Sequence, residues 1–239
     1  MLIIGHRGAS RAEDENTPAA FRTADRMGAD GVELDVRLAP GSDGSARLVV
    51  HHDPLPTERD VLDSLPGFEE VLAACGDRML VNVEIKNSDD DGGFDPSIAV
   101  VAPTIDAMRS ADPDPARWLI SSFSIETVGR CREVAPEFAT AWLTEGLGPD
   151  RIGAAVAGGH RAIHPWDVEV TAGGVAAAHD AGLAVNVWTC NDPVRLAELA
   201  AMGVDGVCTD VPDVALAAIG RDATPRSGLA WFTPADDPA

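Results

Sequence analysis

The feature that most limits what this chain can become is a rhythm. Short apolar runs recur along it, each followed by a stretch of helical character. They are LIIGH (2–6), VELDV (32–36), VNVEI (81–85), LISSF (119–123), TAWLT (140–144), AIHPW (162–166), VNVWT (185–189) and GVCTD (206–210). Strands separated by helices do not pair as tight hairpins; they lie parallel, with the helices covering the sheet. Eight such units within 239 residues come close to the ~250 residues of a closed barrel. The expected fold is therefore α/β, a (β/α)₈ TIM barrel of eight parallel strands. The segment ARLVVHHD (46–53), after the turn signal GSDGS, is surplus to the eight. It is read as a short insertion after the second strand. Residues 1–220 are expected to form the barrel domain. Residues 221–239, rich in Pro and Asp, form a C-terminal, partly irregular tail whose Trp231-Phe232 pair packs back on the barrel.

Local signals agree with the alternation. Thr17 suits an N-cap and Pro18 the first helical position. A helix is expected over SIAVVAPTIDAMRSA (97–111), and others end at Pro136 and Gly182.

Composition then removes whole classes of function. The formal net charge is −21, so nucleic acid or an anionic membrane surface would be repelled as a partner. No apolar run reaches the ~18 residues that span a bilayer, and MLIIGHRG is too short for a signal-peptide core. No stable membrane insertion is expected, and a cytoplasmic protein is. Cys75, Cys131, Cys190 and Cys208 form no CxxC pair and read as buried thiols. If the substrate is an anion, positive charge must be supplied locally.

Chemistry in a barrel sits at the C-terminal ends of the strands. Here those ends turn polar: His6-Arg7, Glu33 and Asp35, Glu84 and Lys86, Trp188 and Asn191, and Asp210. Residues two apart point to one side of a strand, so Glu33 pairs with Asp35 and Glu84 with Lys86. Carboxylates set inside otherwise apolar parallel strands are not solvated surface groups. Three of them converging would repel one another, and an oxygen-loving divalent ion, Mg²⁺ or Ca²⁺, relieves that. His51 and His52 alternate in direction, so one of them can share the mouth with His6, and periodicity does not say which. Asn16-Thr17-Pro18 is adequately explained as a helix cap. His160, His164 and His179 lack the clustering of a zinc site.

Taken in order, GHRGAS, DENTPAAFRTADRMGADGVELDV, LVVHHDP, VNVEIK, NVWTCND and GVDGVCTDVPD resemble the glycerophosphodiester phosphodiesterase family over roughly residues 2–216. An HRG triplet alone is weak; HRG, ENT, ExD, HD and ExK in this order are specific. The resemblance implies a barrel, one divalent metal ion, and hydrolysis of a small-molecule glycerophosphodiester to glycerol 3-phosphate and an alcohol. It implies that His6 and His52 are the catalytic histidines, which chooses His52 over His51. It also implies that Glu33, Asp35 and Glu84 ligate the metal, that Arg7 and Lys86 bind the phosphate, and that Trp188 walls the pocket. The chain departs from the family in two places. Only residues 53–83 separate His52 from Glu84, where the family usually carries a sizeable insertion, and Asp14 replaces a common proline before ENT. The alternatives are a lysophospholipase D or sphingomyelinase D-like phosphodiesterase on the same barrel, and a catalytically silent barrel that binds phosphodiesters.

Overall fold

A computed structural model describes residues 1–89 and 92–232. The strands are β1 (Leu2–His6), β2 (Gly31–Pro40), β3 (Ala46–Val50), β4 (Leu80–Ile85), β5 (Trp118–Ser122), β6 (Ala139–Thr144), β7 (Ala162–Pro165), β8 (Ala184–Val187) and β9 (Gly206–Thr209). The helices are α1 (Pro18–Arg26), α2 (Arg59–Ser64), α3 (Phe68–Ala74), α4 (Val101–Ala111), α5 (Ile125–Val134), α6 (Pro149–Ala157), α7 (Ala172–Asp180), α8 (Pro193–Met202) and α9 (Pro212–Ala218).

Eight parallel strands close on themselves. β1 pairs with β2 on one side and β9 on the other, and the remaining neighbours run β2-β4-β5-β6-β7-β8-β9. β3 stands outside this ring, antiparallel to the far end of β2 from Val36↔Val50 to Pro40↔Ala46. The expected barrel and its insertion after the second strand are both present. Helix boundaries follow the capping chemistry: Thr17 accepts from the Ala20 amide at 3.3 Å, and Asp192 accepts from the Arg195 amide at 2.8 Å. Gly203, in the left-handed region, ends α8.

Two elements differ from expectation. α2 is additional to the elements expected from the sequence. α4 starts at Val101 rather than 97, because the Asp95 carboxylate accepts from the Ser97 and Ala99 amides (2.9 and 3.0 Å). That turn puts Ile98 at φ 53°, which a helix does not admit.

Apolar side chains divide between two spaces. Outside the strands, Leu34, Val83 and Ile120 pack with Phe21, Phe68, Ile105 and Met108, and across the barrel Ile163, Val185 and Val207 pack with Val175, Leu196 and Leu199. A separate cluster joins Ile4, Leu80, Leu119, Ala141, Ala162 and Cys208 to Trp231. Ile4 shares its strand side with His6, and Leu80 shares its side with Glu84. One side of the strands is thus apolar at the N-terminal end of the barrel and charged at the C-terminal end.

The chain beyond α9 helps close the apolar end. Trp231 donates from its amide to the Ala116 carbonyl and from Nε1 to the Arg117 carbonyl, and Arg161 lies over the Phe232 ring at 4.8 Å. Arg221 and Arg226 both bond Asp30, which is fully buried and also accepts from the Ile3 amide. The remainder of the stretch read as a tail, 233–239, lies outside the described residues. Among the described residues, no helix is long and apolar enough to cross a membrane.

Two outcomes follow from these buried groups. Removing both cations (Arg221→Ala with Arg226→Ala) strands the Asp30 carboxylate, and stability should fall by about 3 kcal/mol. Calorimetry should read this as a loss of several degrees in Tm, with Arg109→Ala at the exposed Glu137 pair (2.5 Å) changing little. His164, whose Nε2 lies 3.0 Å from Asn186 Nδ2, is held neutral, with its pKa pushed down by burial to about 3. An unfolded chain takes up that proton near pH ~6.5 while the folded one refuses it until about pH 3. Stability present above pH ~6.5 is therefore lost progressively as the pH falls through this window. His164→Gln should show a shallower decline of Tm between pH ~6.5 and ~4; a slope equal to wild type would contradict the assignment.

Candidate active site

β1 ends at His6, and the chain then reverses through two residues in the left-handed region, Arg7 (φ 55°) and Gly8 (φ 85°). Glycine is required at the second: a Cβ on Gly8 would sit 2.6 Å from the Ala20 carbonyl carbon. The strained Arg7 backbone aims its amide at Glu33 Oε2, 3.0 Å away. Asn16, also left-handed at φ 60°, donates its amide to the Arg7 carbonyl and its Nδ2 to Asp35 Oδ2 at 2.8 Å. The HRG and ENT segments are thus locked to each other and to β2.

Strand register places the acids. His6 pairs with Glu33, Glu33 with Asn82, and Asp35 with Glu84. Glu33, Asp35 and Glu84 are all buried, and one carboxylate oxygen from each lies within 4.8 Å of the others. Arg7 Nε is 3.3 Å from Asp35 Oδ2, and its Nη1 reaches Glu15 at 3.0 Å. Lys86 Nζ is 2.9 Å from Glu84 Oε1 and 3.8 Å from Asp35 Oδ1. Two cations therefore face three acids.

The imbalance appears in proton affinity. Burial pushes Glu33 well above the usual carboxylate range, and the charges of Asp35 and Glu84 push it further. Burial also raises Glu84, against the pull of Lys86. Asp35 goes the other way: burial would raise it, but Lys86, Arg7 and the Asn16 hydrogen bond together hold it below its ordinary value. Among the described residues, no hydrogen-bond donor meets the buried Glu33 Oε1 and Asp35 Oδ1. Buried oxygens of this kind, on three adjacent carboxylates, are the donor set that a hard divalent cation takes. The residues fit such an ion.

The second histidine arrives on the turn after β3. His52 Nδ1 is 2.9 Å from Asp53 Oδ1, and His52 acts electrostatically on both Asp35 and Glu84. Its backbone is pinned: Arg37 donates Nε to the His51 carbonyl at 3.1 Å and Nη2 to the His52 carbonyl at 2.6 Å. Trp188, after β8, donates Nε1 to the His164 carbonyl at 2.8 Å and meets the Phe123 ring edge-on at 5.2 Å. Lys86 Nζ lies 5.8 Å from the same Phe123 ring. The structure therefore gathers His6, Arg7, Glu33, Asp35, Glu84 and Lys86 around one centre, with His52 beside it and Trp188 joined to it through Phe123.

Four further residues border this centre without a role that the sequence alone assigns to them. Asn16 precedes the helix cap, but the capping belongs to Thr17 and the Asn16 side chain turns to Asp35 instead. Asp210 and Asn191 are polar strand ends that meet each other and His6: Asp210 Oδ1 is 2.7 Å from His6 Nδ1, and Asn191 Nδ2 donates to Asp210 Oδ2 at 2.6 Å. Phe123 closes the LISSF run, and its position at a strand end was the available signal.

With this geometry in place, comparison with known proteins decides the family. The sequence profile of the glycerophosphoryl diester phosphodiesterase family matches residues 6–64 and 54–214. The chain belongs to this family. It is accordingly a phosphoric diester hydrolase. A glycerophosphodiester phosphodiesterase of Caldanaerobacter subterraneus subsp. tengcongensis is 28% identical over 240 residues, covering 89% of this chain and 95% of that protein. One from Bacillus altitudinis is 29% identical over 247 residues, covering 90% and 96%. In three dimensions, an Oleispira antarctica phosphodiesterase solved with sn-glycerol-3-phosphate aligns with a TM-score of 0.80 at 21% identity, covering 92% of this chain and 97% of that one. At that identity the likeness supports the barrel.

The excess of negative charge has a direct consequence for stability. Glu33→Gln keeps the shape and an oxygen for the Arg7 amide while leaving two acids opposite two cations. In EDTA the variant's Tm should rise by about 2–4 °C, equivalent to ~1 kcal/mol. A lower Tm than wild type by calorimetry would show that the carboxylates do not strain the metal-free protein.

Proposed function

We propose that this enzyme hydrolyses glycerophosphodiesters to glycerol 3-phosphate and an alcohol, with the aid of one divalent cation, Mg²⁺ or Ca²⁺, and two histidines. The observation that carries this reading is the buried triad Glu33, Asp35 and Glu84, with donorless oxygens on Glu33 and Asp35, flanked by Arg7, Lys86 and two histidines. An Oleispira phosphodiesterase of the same fold was solved with the product sn-glycerol-3-phosphate, which agrees with it.

Glu33, Asp35 and Glu84 would hold the cation, which supplies charge neutralisation to the phosphoryl group. Arg7 and Lys86 bind phosphoryl oxygens and stabilise the charge that builds on them. They also provide the local positive charge that a protein of net charge −21 needs in order to accept an anion. The pocket presents the substrate's own glycerol hydroxyl to the phosphorus. Such an intramolecular attack reaches effective molarities of ~10⁵–10⁸ M. His6 takes the hydroxyl proton, and His52 gives one to the leaving alcohol. The two exchange duties when water opens the resulting cyclic phosphate. Trp188 and Phe123 form the apolar wall against which the glycerol carbons lie.

Activity on glycerophosphocholine, read as release of glycerol 3-phosphate, should vanish in EDTA and return with Mg²⁺ or Ca²⁺. Lysophosphatidylcholine should be a poor substrate by comparison. His52→Ala should lose ~10²–10⁴-fold on glycerophosphocholine, whose alkoxide needs a proton, and far less on a p-nitrophenyl diester, whose leaving group does not. Full activity of His52→Ala on glycerophosphocholine would sink the two-histidine scheme, and turnover that persists in EDTA would sink the role of the cation.

A further inference from the structure

Asp210, at the end of β9, is tied to more partners than a rim carboxylate needs. Its Oδ1 accepts from His6 Nδ1 at 2.7 Å and from Ser10 Oγ at 3.2 Å, and its Oδ2 accepts from Asn191 Nδ2 at 2.6 Å. The orientation of the Asn191 amide is settled by a group that can only donate: the Asp210 backbone amide meets Asn191 Oδ1 at 2.8 Å, and Thr209 Oγ1 donates to the same oxygen at 3.0 Å. Asn191 Nδ2 must therefore be what faces the carboxylate. Three donors around Asp210 keep it ionised, with its pKa held at about 2 although burial alone would raise it. An ionised carboxylate only accepts, so His6 Nδ1 carries its proton and Nε2 is the ring nitrogen left to accept one. His52 is held differently: its partner Asp53 has a side chain 77% exposed, on the adjacent residue.

We propose that Asp210, aligned by Asn191 and Ser10, is a positioning residue that locks His6 as the Nδ1–H tautomer and presents Nε2 for proton transfer. This rests on the reading of His6 as a proton carrier. It assigns work to strands β8 and β9, which contribute none of the metal-binding acids.

The sharpest variant is Asp210→Asn. Asn191 Nδ2 still needs an acceptor, so the new amide turns its oxygen there and its NH₂ toward His6. The imidazole must then accept on Nδ1 and move its proton to Nε2. On glycerophosphocholine in saturating Mg²⁺, kcat should fall ~10³–10⁴-fold, as expected for a histidine held in the wrong tautomer, with KM changing less than ~threefold. Asn191→Ala keeps the carboxylate but frees it to turn, and should cost ~10-fold in kcat with KM likewise steady. ¹⁵N spectra of the imidazoles at about pH 9, where an ordinary histidine is neutral, read the tautomer directly. The His6 signal, assigned by its loss in His6→Gln, should be Nδ1–H in wild type and Nε2–H in Asp210→Asn.

The wild-type spectrum tests the idea even if a variant fails to fold: an Nε2–H tautomer there overturns it. So does full kcat in Asp210→Asn, or a low kcat with an unchanged tautomer. If His6→Gln is inactive while Asp210→Asn is fully active, this inference fails alone. If His6→Gln is fully active, the parent reading fails and takes this one with it.

Discussion

Mutual repulsion among three buried carboxylates is the constraint around which the active end of this barrel is organised. Glu33, Asp35 and Glu84 sit on adjacent strands in register, with oxygens within 4.8 Å of one another. Each neighbouring feature compensates them in part: the Arg7 amide and guanidinium, the Asn16 amide, and the Lys86 ammonium. Even the left-handed backbone at Arg7 and Asn16 serves this end, since it is what turns donors toward β2. The compensation stops short of balance, and that remainder of negative charge, with two buried oxygens that no donor among the described residues meets, leaves the site compatible with a divalent cation rather than a closed network.

The barrel was legible because it rests on periodicity and spacing, which are local. Eight apolar runs at the right intervals leave little choice of fold, and alternation within VELDV and VNVEIK already put the acids on one side. Less legible were features that depend on who becomes a neighbour. Asp210 meets His6 across 204 positions of sequence, and only closure of β9 onto β1 brings them together. Arg37, in the sequence one more charged residue on a strand, has meaning only because the β2–β3 hairpin returns His51 and His52 to its guanidinium.

Backbone conformation set a second limit on what could be read. Asn16-Thr17-Pro18 carries two functions in consecutive residues, a cap from Thr17 and a site contact from Asn16, and the capping signal masked the other. The turn at Asp95 and Ile98 delayed α4 in the same manner: a short polar side chain competes for amides that a helix would otherwise use. In both places the deciding term is a positive φ at a residue other than glycine, which composition does not announce.

The floor of the barrel carries a consequence for the order in which the molecule can assemble. Asp30 belongs to the first βα unit, yet its partners Arg221 and Arg226 lie 191 and 196 positions later, and Trp231 caps the apolar end after them. A ribosome delivering ~5–20 residues per second exposes the Asp30 carboxylate long before either arginine exists. The early strands must therefore wait, open at one seam, until β9 and the chain beyond α9 emerge. The native barrel is therefore completed late, when Arg221, Arg226 and Trp231 reach its floor.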